Sequence, residues 1–211
     1  MPYIASKERP PIDEKVAVLA EEISDALSRG ANSDTELSVY YRHTFVTVGK
    51  ALLQLARGTA GECSPGPAAE LAAGVFGEAG GASGRGAWLG RLNYALTRLI
   101  QVVPERMVER GVWKEEFRYW LYAQTVGALA KSAIELGALG DDWAVDGLVG
   151  VLTDVKDEYK RRVNAAYEAI QIVRAGDCYT TRYRTELSEV KDPSGAVVGY
   201  SEIMKDLGGR R

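Results

Sequence analysis

The sequence predicts a mainly α protein: a helical bundle of four or five long helices with a C-terminal β-hairpin. Three observations carry that expectation. Apolar residues recur every three or four positions from Ile12 to Val173, the period of one helix face. Glycines stand where these runs stop, at Gly30, Gly58, Gly137 and Gly176, as at helix C-termini. Beyond Gly176 the period drops to two, that of a strand. The chain has 211 residues, 46% apolar and 26% charged, with a net charge of −3. This composition suits a folded chain with one sizeable core rather than a disordered one.

The first helix is expected from about Asp13, because Pro10 and Pro11 restrict the preceding backbone. Ile12, Val16, Leu19, Ile23 and Leu27 form its apolar stripe. Ser33 and Glu36 make a capping box for a second helix that runs through Tyr41, Phe45, Val48 and Leu52 to Leu55. Residues 58–86 are rich in Gly, Ala, Ser and Pro and read as a flexible insertion holding a weak helix over Pro67–Phe76. A third long helix is expected over Ala87–Val103, limited by Pro104, and a fourth from about Lys114 to Leu136. The fifth is expected to start at an Asp141 or Asp142 cap and carry Leu148, Leu152, Val155, Tyr159, Val163, Ala166, Ile170 and Val173 on one seam. Tyr179 to Leu187 alternates, and Asp192-Pro193-Ser194-Gly195 supplies turn chemistry before Ala196 to Tyr200. Residues 1–177 thus read as the bundle and 178–211 as the hairpin tail.

Several function classes lack their residues. The one histidine, His43, has no nucleophile in a recognisable arrangement with it. Gly77 to Gly86 lacks the Lys-Ser/Thr ending and the preceding strand of a phosphate loop. Cys63 and Cys178 have no zinc-type spacing and read as free thiols. The first residues lack the apolar core of a secretory signal, and charges interrupt every long apolar stretch. The expected location is cytoplasmic, with no membrane span.

Three readings remain. The leading one is a non-catalytic, self-associating interaction protein, a homo-oligomer, because Tyr40, Tyr119, Trp120 and Tyr122 cannot all face one core and a hairpin needs a packing surface. It binds no cofactor. The second is an Mg²⁺-dependent nucleotide hydrolase, with Glu21, Glu22 and Asp25 on one helix facing Asp154, Asp157 and Glu158 on another, oxygen ligands suited to a hard cation. That pattern looks like the paired acidic helices of all-α nucleoside triphosphate pyrophosphatases, of which Glu22 and Asp25 match half of one motif. The third is a nucleic-acid module using Lys156, Tyr159, Arg161 and Arg162; the acids beside these residues and the negative net charge disfavour it.

Several strings also resemble, in order, a small uncharacterised family of prokaryotes and their viruses. They include Met1-Pro2-Tyr3-Ile4, Gly90-Arg91-Leu92-Asn93-Tyr94, Lys156-Asp157-Glu158-Tyr159-Lys160-Arg161-Arg162 and Gly176-Asp177-Cys178-Tyr179. Arg91 stands where the family pattern has an acidic residue, and Asn32 to Gly86 reads as an addition to a shorter core. The resemblance implies no activity. On the polar strip of the third helix, Asn93 and Arg98 are expected to meet Lys156, Glu158 and Arg162 in a polar network that fixes helix register.

Overall fold

The computed structural model describes residues 4–29, 36–59, 66–77, 87–113, 118–175, 183–194 and 197–206. The chain divides into two compact units, Met1–Lys160 and Arg161–Arg211.

The first unit is built from six helices: α1 (Arg9–Arg29), α2 (Glu36–Arg57), α3 (Pro67–Phe76), α4 (Ala87–Glu109), α5 (Arg118–Gly137) and α6 (Trp143–Tyr159). The expected fold class is therefore corrected. Among its described residues this unit is a bundle of five long helices and the short α3 with no strand, so no β-hairpin belongs to the bundle. The physical reason is that the apolar stripes of α1 to α6 are covered by one another. The buried core is drawn from Ile4 through Val155, all in the first unit.

Two helix boundaries differ from expectation, each for a backbone reason. α1 begins at Arg9, because Pro10 and Pro11 fall in its first turn, where backbone N–H groups have no helical partner to lose. α4 passes through Pro104 and continues to Glu109. The buried Val103 and Met107 on either side keep that stretch helical despite the missing amide bond. α3, inside the span expected to be a flexible insertion, is a core element: Leu71, Ala72 and Val75 are fully buried. Its alanines and Gly74 allow close packing, and a Cβ on Gly74 would stand 2.6 Å from the Lys15 Cδ of α1. Ser33 of the expected capping box lies outside the described residues, as do Cys63 and Cys178.

Two pairs of helices run side by side in the same direction. α4 packs on α1, and the ion-pair and hydrogen-bond partners between them advance together along both helices. α5 packs on α2 in the same sense: Tyr41 near the start of α2 lies close to Tyr159, which stacks on Tyr122 near the start of α5, and Arg57 at the end of α2 reaches Asp142 just past the end of α5. α6 then returns antiparallel along α5, with Tyr122 stacked on Tyr159 at one end and Gly137 beside Val149 at the other. α6 starts at a side-chain cap, where Asp142 Oδ1 accepts from the amides of Ala144 and Val145 at 3.0 and 3.1 Å. Arg57 also donates to that carboxylate, through its Oδ2 at 2.6 Å. Among the described residues no helix is long and apolar enough to cross a membrane.

The second unit, taken by itself, begins within a π turn (Lys160–Asn164) and continues as α7 (Ala165–Ala175). It also contains two antiparallel strands, β1 (Tyr183–Lys191) and β2 (Val197–Asp206), paired from Tyr183 opposite Asp206 to Lys191 opposite Val197.

Candidate functional site

On α4 and just past its end, Arg91, Tyr94, Arg98, Arg106 and Arg110 are spaced to share one helix face. Opposite them, Glu8 just ahead of α1 and Asp13, Glu21 and Asp25 on it form an acidic counterpart. Arg91 donates to Glu8 at 2.9 Å and to the Phe76 carbonyl at 3.3 Å. The Tyr94 hydroxyl reaches both Asp13 oxygens, at 2.9 and 3.0 Å, while the Arg98 Nε stands 3.6 Å from the same carboxylate. Arg106 and Arg110 both pair with Glu21, and Arg110 reaches Asp25 at 2.8 Å and the Ser28 hydroxyl at 3.4 Å. Every partner contributed by α1 and the residues just ahead of it lies 81 to 89 residues away in sequence.

The chain's N-terminal segment joins the ladder at one end. Ile4 is buried, and its Cγ2 lies 4.0 Å from where a Cβ on Gly90 would be. Arg9 donates to the Ile4 carbonyl at 3.4 Å and sits over the Tyr94 ring, 5.6 Å from its centroid. Ile4 and the Gly90–Tyr94 string, parts of two motifs that are distant in sequence, thus meet in space. Their electrostatics are matched. Arg91 holds the Glu8 carboxyl below its ordinary pKa, Asp25 raises that of Arg110, and burial followed by the Asp13 bond raises that of Tyr94. These groups are partly exposed, so solvent screens each ion pair strongly and the pairs set register more than stability. Chemically the ladder is a register clamp: its acids are engaged by guanidinium or phenol donors, and it contains no nucleophile–base pair.

A second cluster lies where α2, α5 and α6 meet. Tyr41 is fully buried and stacked on Phe45, with ring centroids 5.3 Å apart. Its hydroxyl has no hydrogen-bond partner among the described residues. Burial, the largest cause, and nearby Tyr159 push its pKa far above the ordinary tyrosine value. Tyr159 stacks on Tyr122 at 5.9 Å and is hydrogen-bonded with Thr125; burial raises its pKa as well.

A family model described as a domain of unknown function, DUF6899, matches residues 1–138. The chain belongs to the DUF6899 family. No curated protein and no solved structure matches it. The DUF6899 match contains α1 to α5 whole, runs through Asn32 to Gly86, and ends ahead of the Lys156–Arg162 string.

Within this DUF6899 member the residues singled out from sequence are placed as follows. Asn93 is buried on α4, and its Oδ1 accepts from the Thr97 hydroxyl at 3.4 Å. Arg98 turns to Asp13 and to Gln101, at 3.1 Å from the latter. Lys156 lies 3.4 Å from its neighbour Asp157. Tyr159 belongs to the aromatic cluster, Glu158 is half-buried on α6, and Arg161 and Arg162 are exposed in the π turn. Of the acids, Glu21 and Asp25 are brought together, but against Arg106 and Arg110. Glu22, Asp154 and Asp157 are exposed on their helices. α1 packs mainly on α4 and α3, and α6 on α5 and α4. Among the described residues no group of three or more His, Cys, Asp or Glu gathers as a metal-holding set. His43 stands exposed on α2.

Sequence reasoning missed Asp13, Tyr94, Arg106, Arg110 and Tyr41. A signal for the ladder existed. Glu21 with Asp25, and Arg106 with Arg110, are like-charge pairs four apart, which destabilise a lone helix. Two such pairs of opposite sign favour facing each other.

Proposed function

We propose that this DUF6899 member is a non-catalytic, self-associating interaction protein that works as a homo-oligomer in the cytoplasm. One observation supports the reading above all: the outer face of α5. Ile134, in the last turns of that helix, is 75% exposed. Around it Ala123, Gly127, Ala130 and Ala138 recur at helical spacing, interrupted by the single charge of Lys131. A face so poor in charge lowers its free energy by leaving water, and its small residues let another helix approach closely.

The aromatics that first suggested the reading no longer support it. Tyr40 and Trp120 are packed against the core, and Tyr122 is taken up by Tyr159; the Tyr119 side chain lies outside the described residues. Sedimentation velocity across micromolar concentrations tests the proposal. A concentration-dependent dimer is expected, shifted toward monomer in Ile134→Glu. A compact wild-type monomer throughout that range overturns it.

A further inference from the structure

The rod that begins at Trp143 changes character at one place. Up to Tyr159 it is firmly held, with Leu148, Leu152 and Val155 buried and Tyr159 fixed by Tyr122 and Thr125. The next five residues, Lys160–Asn164, form a single π turn before the α-helix resumes at Ala165. A π turn holds one residue more than the α-helix around it, is rare, and often lies at a functional site. Lys160, Arg161 and Arg162 are exposed, and so are Ala165 and Ala166. Asn164 is tethered forward, donating to Glu168 Oε1 at 2.7 Å, while its own Oδ1 is buried with no partner among the described residues. An unpartnered buried amide oxygen disfavours the arrangement that creates it. The division of the chain into two compact units falls in this same turn.

We propose that the π turn at Lys160–Asn164 is a hinge with two states. In the second state the extra residue moves along α7 and out at its end, and the turn closes to α-helix. The movement exchanges one intrahelical bonding register for another and frees Asn164 from its unsatisfied position. Everything N-terminal to Tyr159 stays fixed.

Native-state hydrogen exchange on the full chain tests the hinge. Amides of Val163 to Glu168 are expected to exchange about 100-fold faster than those of Leu148 to Val155, with protection recovering along α7. Deleting Arg162 removes the surplus residue and is expected to raise protection at the junction about tenfold while leaving Leu148 to Val155 unchanged. Asn164→Leu, which keeps the chain length and removes the unpartnered oxygen, is expected to act in the same direction and decides the matter if the deletion does not fold. A rate that rises steadily from Leu152 to Ala175 marks simple end fraying and overturns the proposal, as does junction protection equal to that of α6 or unchanged in the folded variant.

Discussion

Replacing Tyr41 with phenylalanine is expected to stabilise the protein, the reverse of the usual outcome for a buried residue. The ring is fully buried and stacked on Phe45, and both features survive the substitution. Only the hydroxyl is lost, and it has no partner among the described residues. Burying an unpartnered polar group costs about 1–3 kcal/mol. The void left by one oxygen, roughly 10 Å³ at about 24 cal/mol per Å³, returns only ~0.2 kcal/mol of that. The net expectation is a gain of about 1–3 kcal/mol, or a rise in Tm of about 2–12 °C for a chain of this size. Tyr159→Phe is the matched control: its hydroxyl is hydrogen-bonded with Thr125, so its removal is expected to cost about 0.5–1.5 kcal/mol. Urea denaturation of both variants, with the m-value monitored for constancy, reads the two signs. A loss of stability in Tyr41→Phe refutes the reasoning, because it requires a partner for the hydroxyl.

Two further outcomes follow from the fold. Leu71→Ala in α3 is expected to cost about 2–5 kcal/mol, as for a fully buried leucine; a change under about 0.5 kcal/mol, typical of surface positions, would remove α3 from the core. Glu8, Glu135 and Asp142 are each held below their ordinary pKa, chiefly by hydrogen bonds from Arg91, Arg42 and Arg57. Depressed carboxylates contribute stability that is present above their ordinary pKa, about 4, and lost as pH falls through the lower folded values. Tm measured from pH 7 to 2 is expected to drop in that acid window, and less steeply once all three arginines are changed to alanine; an unchanged slope contradicts the pairing.

Helical periodicity was legible because burial follows it directly. The stripe Ile12, Val16, Leu19, Ile23 and Leu27 is buried along α1, and Asp142 caps α6 through the short-range geometry its position implies. Boundaries at prolines were harder, since the same residue ends a helix or opens one according to what lies on either side. Composition misled at α3: alanine and glycine suggest a loop, yet they also let helices approach closely, and only the neighbours decide. The seam of the fifth segment was legible as far as Tyr159. Past the π turn the added residue rotates the pattern, and Ile170, expected on the buried seam, is 37% exposed. Which helices pair is a property of distant residues. The facing of Glu21 and Asp25 with Arg106 and Arg110 leaves only the faint trace of two locally repulsive pairs.

The same-direction pairing of α1 with α4 and of α2 with α5 has a consequence for how the chain comes into being. With partners in the α1–α4 ladder 81 to 89 residues apart, the oily sides of α1 and α2 have only the short α3 as cover while only the first half has left the ribosome. The nascent helices must wait, and the late arrival of α4 and α5 closes both pairs. Such a chain is expected to fold more slowly than hairpin-connected bundles of similar length, and a fragment ending before Ala87 is expected to be sticky and aggregation-prone rather than a small stable protein.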